Sequence, residues 1–265
     1  EPWPVVRQYR RQCPGAAPIA WCPVALLVQK FGGTSVADAD RMREVADHVA
    51  RTLRHGNQVV LVVSAMGKET DELLRLAGEV SAIQPGREMD MLITAGERKA
   101  MALVCLALHH IGIDSESFTG SQAGFLTDTS HQNARIVEVR PDRVRASLDA
   151  GRVPVIGGSQ GVSTDNDVTF LGRGGSDTTA VALANALSAD ACELYTDVTG
   201  VFTTDPRVVP TARRMHSISF DELLEMTATG CPKPSMRSVE YARTHGVRLH
   251  VRSAFTWQEG TWVDE

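Results

Sequence analysis

Short apolar runs alternate along the chain with stretches in which apolar residues recur at helical spacing. The near-continuous apolar runs predict buried strands at residues 24–29, 58–64, 153–156, 191–196 and 247–251. The periodic stretches predict helices at residues 37–54, 71–80, 89–110, 176–187 and 220–228. This succession of strands, glycine-rich turns and helices predicts the α/β class, as a three-layer α/β/α sandwich with a mainly parallel sheet.

The composition is that of a folded protein and excludes several kinds of partner. Hydrophobic residues make up 43% of the chain and charged residues 22%, a balance typical of globular domains. The net charge of −5 and the lack of a basic run argue against nucleic acid as the main partner. No apolar stretch reaches the ~20 residues that span a bilayer, so no membrane association is expected. The five cysteines form no CxxC pair, which favours a reduced, cytoplasmic protein without a structural metal.

Four polar, glycine-rich segments fall where the carboxyl ends of strands are expected, at residues 30–35, 64–70, 172–177 and 196–207. Ligands of open α/β sheets bind at such ends. The first segment combines Lys30 with two glycines before a helix, which favours a phosphate, and the third carries Arg173, which suits a carboxylate. A tight turn with a helix cap is the commoner explanation of the first segment alone, and helix capping by Ser176 and Asp177 explains part of the third. Two of them in one domain favour a ligand site.

Other candidate groups are weaker by themselves. Glu97 lies inside a predicted helix and is a candidate ligand for a substrate ammonium group, although a solvated helix carboxylate explains it too. The long loop at 196–207 is a candidate site for a nucleotide base and ribose, with Arg207 near phosphate, or a plain surface loop. The chain has neither a GxxxxGK[ST] phosphate loop nor an HExxH motif, and its histidines are scattered.

Seven motifs, taken together and in order, closely resemble the bacterial aspartate kinases of the amino acid kinase family. They are KFGGTSV (30–36), SAMG (64–67), TAGER (94–98), FTGSQAG (118–124), LGRGGSDTTA (171–180), TTDPR (203–207) and RSVEYAR (237–243). The resemblance covers residues 24–263. It implies a sheet of about eight strands between helices, with aspartate bound by the amino-terminal part and MgATP by the carboxy-terminal part. The implied reaction is phosphorylation of the aspartate side-chain carboxylate by ATP, giving 4-phospho-L-aspartate.

The resemblance also implies roles for individual residues. Lys30 would stabilise the transferring phosphoryl group, and Asp177 would orient Lys30. Aspartate would be held by Ser64, Thr70, Glu97, Arg173 and Gly174. ATP would be bound by Lys30, Gly32, Gly33, Ser176, Thr196, Asp197, Phe202, Arg207 and Lys233. The implied cofactors are ATP and Mg²⁺, with no protein residue assigned as a metal ligand, and an already ionised carboxylate nucleophile needs no general base.

Three positions depart from the family pattern. Ser159 replaces an aromatic residue beside the amino acid, which predicts looser specificity or a larger substrate. Phe202 replaces a tyrosine near ATP. Pro232 stands where a lysine is expected, and Lys233 follows it between two prolines that restrict the backbone. Two alternatives therefore stay open: a kinase of this fold for another amino acid or carboxylate, and a catalytically impaired nucleotide-binding paralogue.

The expected domain organisation is one catalytic domain at residues 24–265. Residues 1–23, rich in proline and without a helical or strand period, are predicted to be a disordered or non-native extension, because family members begin with Met where this chain has Val24. Family members continue into ligand-binding regulatory domains where this chain ends, so on-chain feedback regulation is not expected. A homodimer, or pairing with a separate regulatory subunit, is the expected assembly.

Overall fold

The computed structural model describes residues 25–265, so the extension predicted for residues 1–23 lies outside the described residues. The strands are β1 (Leu26–Phe31), β2 (Gln58–Val63), β3 (Ser115–Phe118), β4 (Phe125–Thr127), β5 (Ile136–Val139), β6 (Val153–Gly157), β7 (Gln160–Ser163), β8 (Val168–Phe170), β9 (Ala191–Thr196), β10 (Ser217–Ser219), β11 (Leu249–Ser253) and β12 (Thr261–Asp264). The helices are α1 (Ala39–Arg54), α2 (Glu69–Val80), α3 (Gly86–His110), α4 (Asp142–Asp149), α5 (Gly175–Leu187), α6 (Phe220–Ala228) and α7 (Met236–His245).

The main sheet has eight strands in the order β10-β12-β11-β9-β1-β2-β6-β3. Neighbouring strands are parallel except β11 and β12, which run antiparallel. Strand β1 lies between β2 and β9, so that Lys30 stands opposite Val62 on one side and Leu194 on the other. The predicted fold, a mainly parallel sheet of about eight strands, is confirmed.

Helices cover both faces of this sheet, because its central strands are apolar on both sides. Alternate residues of β2 point to opposite faces. Val60 and Val62 belong to a core cluster that includes residues of α5 and α7. Leu61 and Val63 belong to a second cluster that includes residues of α1 and α3. The predicted three layers follow from this double-sided burial. Within residues 25–265 no helix is long and apolar enough to cross a membrane.

A second, four-stranded sheet was not predicted. Its order is β5-β4-β7-β8, with β4 and β7 parallel and the two outer pairs antiparallel. Each strand has three or four residues with mixed burial, too short to show a two-residue period. Helices α4 and α7 were missed for a similar reason, since each buries only three residues. The predicted strand at 247–251 is β11, displaced because Val247 still bonds back to the end of α7.

Candidate active site

A buried ion pair lies at the carboxyl end of the central strand. Lys30, near the end of β1, places its Nζ atom 2.6 Å from Oδ1 of Asp177, and the two side chains are 11% and 10% exposed. Asp177 stands in the first turn of α5, which begins after Gly174 in a left-handed conformation with φ 74°. The two residues predicted as the catalytic pair are therefore brought together, 147 positions apart in the chain, at the sheet edge where ligands bind.

The glycines after Lys30 differ in their surroundings. A Cβ atom on Gly33 would stand 2.8 Å from the carbonyl oxygen of Ala65, and the Gly67 amide donates to the Gly33 carbonyl at 2.9 Å. Gly33 therefore lets the loops after β1 and β2 pack directly on each other. A Cβ atom on Gly32 would instead meet the Lys30 ammonium at 3.6 Å. The backbone of Gly32 thus lies beside the charged end of Lys30.

A cluster of aromatic and polar side chains packs around Phe31 at the end of β1. The rings of Phe31 and Tyr195 stack with centroids 4.6 Å apart, and the Tyr195 hydroxyl donates to Glu193 Oε2 at 2.9 Å. His48 Nε2 lies 2.7 Å from the same hydroxyl, and burial lowers the pKa of His48 to about 4. His48 is therefore neutral at pH 7. This packing fixes the strand that presents Lys30.

A small cavity opens next to the ion pair. It is lined by Lys30, Asp177, Leu194, Tyr195, Thr196, Lys233, Pro234 and Val251. Lys233 Nζ lies 3.2 Å from Asp197 Oδ1, and Thr196 donates to the same oxygen at 2.9 Å. Burial on its own would raise the pKa of Asp197, but the hydrogen bonds from Thr196 and Lys233 outweigh it and the net pKa lies below its ordinary value. Lys233 thus reaches the cavity despite its two flanking prolines.

Glu97 is a buried carboxylate without a partner for one of its oxygens. Its side chain lies on α3, the residue is 3% exposed, and Oε2 has no hydrogen-bond partner among the described residues. Burial raises the pKa of Glu97 to about 7, and hydrogen bonding to backbone groups at Glu97 and Ala65 offsets part of that rise. Gly96 brings α3 against the loop after β2, since a Cβ there would stand 2.9 Å from Ala65 Cβ. The free oxygen suits a cationic ligand.

The other groups predicted to hold aspartate lie in two places, beside the loop after β2 and on the turn before α5. Ser64 follows β2, is partly buried, and donates its amide to the Phe31 carbonyl at 3.2 Å. Thr70 lies partly buried in the first turn of α2. Arg173 is exposed on a turn between two glycines with positive φ. Gly174 packs on Ser235, whose Cβ a side chain at Gly174 would meet at 2.4 Å.

Ser159, which stands where the family pattern has an aromatic residue, is buried and packs against the start of α5. Its backbone is left-handed with φ 59°, and its amide donates to Thr179 Oγ1 at 3.0 Å. Its hydroxyl lies 2.9 Å from the hydroxyl of Ser176. Ser176, predicted to bind ATP, is therefore engaged with Ser159 at the start of α5.

Two predicted nucleotide residues lie away from the cavity beside Lys30. Phe202 is partly buried and pairs through its backbone with Arg214. Arg207 has a side chain 79% exposed, and its guanidinium binds the carboxylate of Asp205. Neither residue lines that cavity.

Sequence reasoning missed the start of α7 as part of the site. The Ser235 amide donates to Asp177 Oδ2 at 3.2 Å, and its hydroxyl donates to the Gly174 carbonyl at 3.3 Å. Arg237 donates to the Leu171 carbonyl at 2.6 Å. A serine just before a helical pattern is an N-cap signal that marks this start.

Fold and site together describe an α/β protein with a lysine–aspartate pair and glycine-rich turns at the carboxyl ends of parallel strands. Residues 25–253 match the amino acid kinase family, and the chain belongs to that family. The predicted family resemblance is therefore confirmed.

Two aspartokinases share more than half of the aligned residues with this chain. The chain is 56% identical over 241 residues to the aspartokinase of Mycolicibacterium smegmatis and 55% identical to that of Corynebacterium glutamicum. Each alignment covers 91% of this chain and 57% of the relative, so the chain spans little more than half the length of these relatives.

Solved structures of two aspartate kinases superpose on most of this chain. The aspartate kinase of Synechocystis superposes with a TM-score of 0.82 at 46% identity, covering 91% of this chain and 40% of that one. E. coli aspartokinase III, in complex with aspartate and ADP, superposes with a TM-score of 0.81 at 27% identity, covering 91% of this chain and 64% of that one.

Proposed function

We propose that this chain transfers the γ-phosphoryl group of ATP to the side-chain carboxylate of L-aspartate, giving 4-phospho-L-aspartate and ADP. The observation that carries the proposal is the buried Lys30–Asp177 pair at the end of β1, beside a cavity that Lys233 also lines. The E. coli relative bound to aspartate and ADP supports the choice of substrates.

Phosphoryl transfer to a carboxylate requires positioned groups and neutralisation of charge rather than proton transfer. An aspartate carboxylate is ionised at pH 7 and attacks directly, so no general base is required. In phosphoryl transfer, charge spreads over the equatorial phosphoryl oxygens, and a fixed cation beside them lowers the barrier. Lys30 supplies that cation, and Asp177 holds its Nζ atom in place. Partial burial strengthens the interaction because water screens it little.

The amino acid is proposed to bind between α3 and the turn that carries Arg173. Glu97 takes the ammonium group, which is the partner that its unpaired Oε2 lacks. Arg173 takes a carboxylate in the planar two-bond arrangement that guanidinium groups favour. Ser64 and Thr70 add hydrogen bonds from the loops after β2 and at the start of α2.

The nucleotide is proposed to bind across the carboxyl ends of β1 and β9. The residues proposed to bind the nucleotide are Gly32, Gly33, Ser176, Thr196, Asp197, Phe202, Arg207 and Lys233. Among residues 25–265 no group of three or more histidines, cysteines or carboxylates is placed to hold a metal. Mg²⁺ fits this arrangement as an ion bound chiefly by phosphate oxygens and water, a mode that suits its reluctance to dehydrate.

The experiment is an acceptor comparison. ADP release is measured with aspartate, glutamate and related acids, and acyl phosphate is trapped with hydroxylamine. Turnover with aspartate supports the proposal, whereas turnover with another acid alone contradicts it and favours the substrate shift suggested by Ser159. Nucleotide binding without turnover would indicate the impaired paralogue.

Lys233→Ala is expected to raise KM for ATP by about three- to tenfold, because the cavity loses one of its two cations. KM for aspartate should change little. Steady-state kinetics with each substrate varied in turn measures the effect. Lys99→Ala, which removes an exposed lysine paired with Glu69 on the protein surface, is the matched control. An unchanged KM for ATP would mean that Lys233 does not contact the nucleotide.

The raised pKa of Glu97 predicts a pH dependence of substrate binding. Since only the ionised carboxylate attracts an ammonium group, KM for aspartate should rise as pH falls below about 7, approaching about tenfold per pH unit. Glu97→Gln should have a high KM that varies little with pH. A wild-type KM that stays constant between pH 5.5 and 8 would contradict this role.

The raised pKa of Glu97 also predicts how the free energy of unfolding changes with pH. Folded Glu97 holds a proton up to a pKa of about 7, while the unfolded carboxyl releases it near 4.5. The free energy of unfolding should therefore fall as pH rises through that interval, and Glu97→Gln should reduce the fall. Urea unfolding at a series of pH values measures it.

We further propose a cytoplasmic location, in keeping with the absence of a disulfide among Cys105, Cys192 and Cys231, the cysteines within residues 25–265. The expected homodimer, or pairing with a separate regulatory subunit, stays a prediction.

A further inference from the structure

Arg237 binds two segments that are far apart in the chain. From the first turn of α7, its Nη1 atom donates to the Leu171 carbonyl at 2.6 Å. Its Nη2 atom donates to Asn133 Oδ1 at 2.5 Å. The guanidinium holds both acceptors at once, which a planar fork of donors does well and a lysine ammonium does not.

Both acceptors border the turn that carries Arg173. Leu171 leads directly into Gly172, whose φ is 83°. A Cβ atom on Gly172 would stand 3.1 Å from both Asn133 Oδ1 and the Gln132 carbonyl, so the turn lies against the segment that Arg237 holds. Arg173 itself has no ion-pair partner among the described residues. Its position therefore depends on the backbone of its turn.

The Asn133 segment is tied in turn to the helix that carries Glu97. Asp90, a fully buried carboxylate on α3, accepts from the Gln132 amide at 2.9 Å and pairs with His131 Nδ1 at 2.8 Å. Asp90 and Glu97 are seven residues apart, which puts them on the same face of α3. Hydrogen bonds, together with the Gln132–Asn133 peptide link, thus connect α3 through Asn133 and Arg237 to Leu171, the residue before the Arg173 turn.

We infer that Arg237 is a positioning residue that sets the place of Arg173 relative to Glu97, and so the fit of the acceptor amino acid. The inference rests on the proposed function, in which these two side chains bind the carboxylate and the ammonium group. Arg237 does not line the cavity beside Lys30, so its effect should fall on the acceptor and not on ATP.

The kinetic test compares Arg237→Met, Arg237→Lys and Asn133→Ala with Arg243→Met. Arg243 lies on the same helix and forms an exposed pair with Asp221, which makes it a matched control. Arg237→Met should raise KM for aspartate by about tenfold or more, with KM for ATP within about twofold of wild type. Asn133→Ala should shift KM for aspartate in the same direction, Arg237→Lys should not restore it, and Arg243→Met should leave both constants unchanged.

A second readout does not depend on turnover. Amide hydrogen exchange at residues 172–176 should be faster in Arg237→Met and Asn133→Ala than in wild type, and unchanged in Arg243→Met. If wild type does not turn over aspartate, the proposed function fails, while exchange still tests whether Arg237 holds the turn. Unchanged exchange overturns the inference. Faster exchange with an unchanged KM for aspartate in an active enzyme overturns it too, because Arg237 would then be merely structural. If Arg237→Met does not fold, Asn133→Ala and Arg237→Lys carry both readouts.

Discussion

Lys30→Ala is expected to lower kcat by about 10³-fold or more while the chain still folds. The substitution removes the cation beside the phosphoryl group, and Lys233, the other lysine that lines the cavity, is paired with Asp197 and does not take its place. The chain remains folded because Asp177 keeps its hydrogen bond from the Ser235 amide.

The measurement is ADP release at saturating substrates, with circular dichroism to verify folding. Lys99→Ala serves as the control, because Lys99 is an exposed lysine paired with Glu69. Activity of Lys30→Ala near the wild-type level would refute the catalytic role of Lys30, whatever the substrate is.

Asp177→Ala is expected to reduce both activity and stability. Lys30 would keep a largely buried ammonium group without its partner, which costs about 3 kcal/mol of unfolding free energy. A misplaced ammonium should also lower kcat by about 10²-fold. Denaturant unfolding and steady-state kinetics measure the two effects.

A double variant that removes both charges separates the ion pair from general packing. Lys30→Met combined with Asp177→Leu should recover most of the stability that Asp177→Ala loses, because no uncompensated charge remains, yet it should stay inactive. Asp264→Ala, which removes an exposed carboxylate paired with Arg248, should change stability little. Equal losses in Asp177→Ala and the double variant would contradict the account of the pair.

The layers of the fold could be predicted because the central strands are buried on both faces. Strand β2 is apolar without interruption from Val59 to Val63, and most residues of β6 and β9 are apolar too, so each appears in the sequence as a strand. The strands of the second sheet could not be predicted. They have three or four residues each and depend on tertiary pairing rather than on their own pattern.

The candidate site was predictable where a motif carries its own chemistry. Lys30 and Asp177 stand in two glycine-rich segments, and the structure brings them into contact. The role of Arg237 could not be predicted from the sequence, because the two hydrogen-bond acceptors of its guanidinium lie 66 and 104 positions away in the chain. Contacts of this kind follow from the packed fold and leave no periodic signal.

The two prolines around Lys233 show a related limit. Proline restricts the local backbone, so the sequence left open whether Lys233, which the family resemblance assigns to ATP, is displaced from the nucleotide. In the folded chain Lys233 and Pro234 both line the cavity beside Lys30. The long lysine side chain tolerates a shift of one residue, because where its ammonium lies depends on side-chain reach as well as backbone position.

In the proposed reaction the γ-phosphoryl group of ATP is transferred to the side-chain carboxylate of aspartate. The most direct test incubates the protein with MgATP and L-aspartate, traps the product with hydroxylamine, and identifies the hydroxamate by mass spectrometry and chromatography. Wild type should give the hydroxamate of the side-chain carboxyl, and Lys30→Ala should give none. Absence of any hydroxamate in wild type, or its formation at the α-carboxyl, would contradict the proposed reaction.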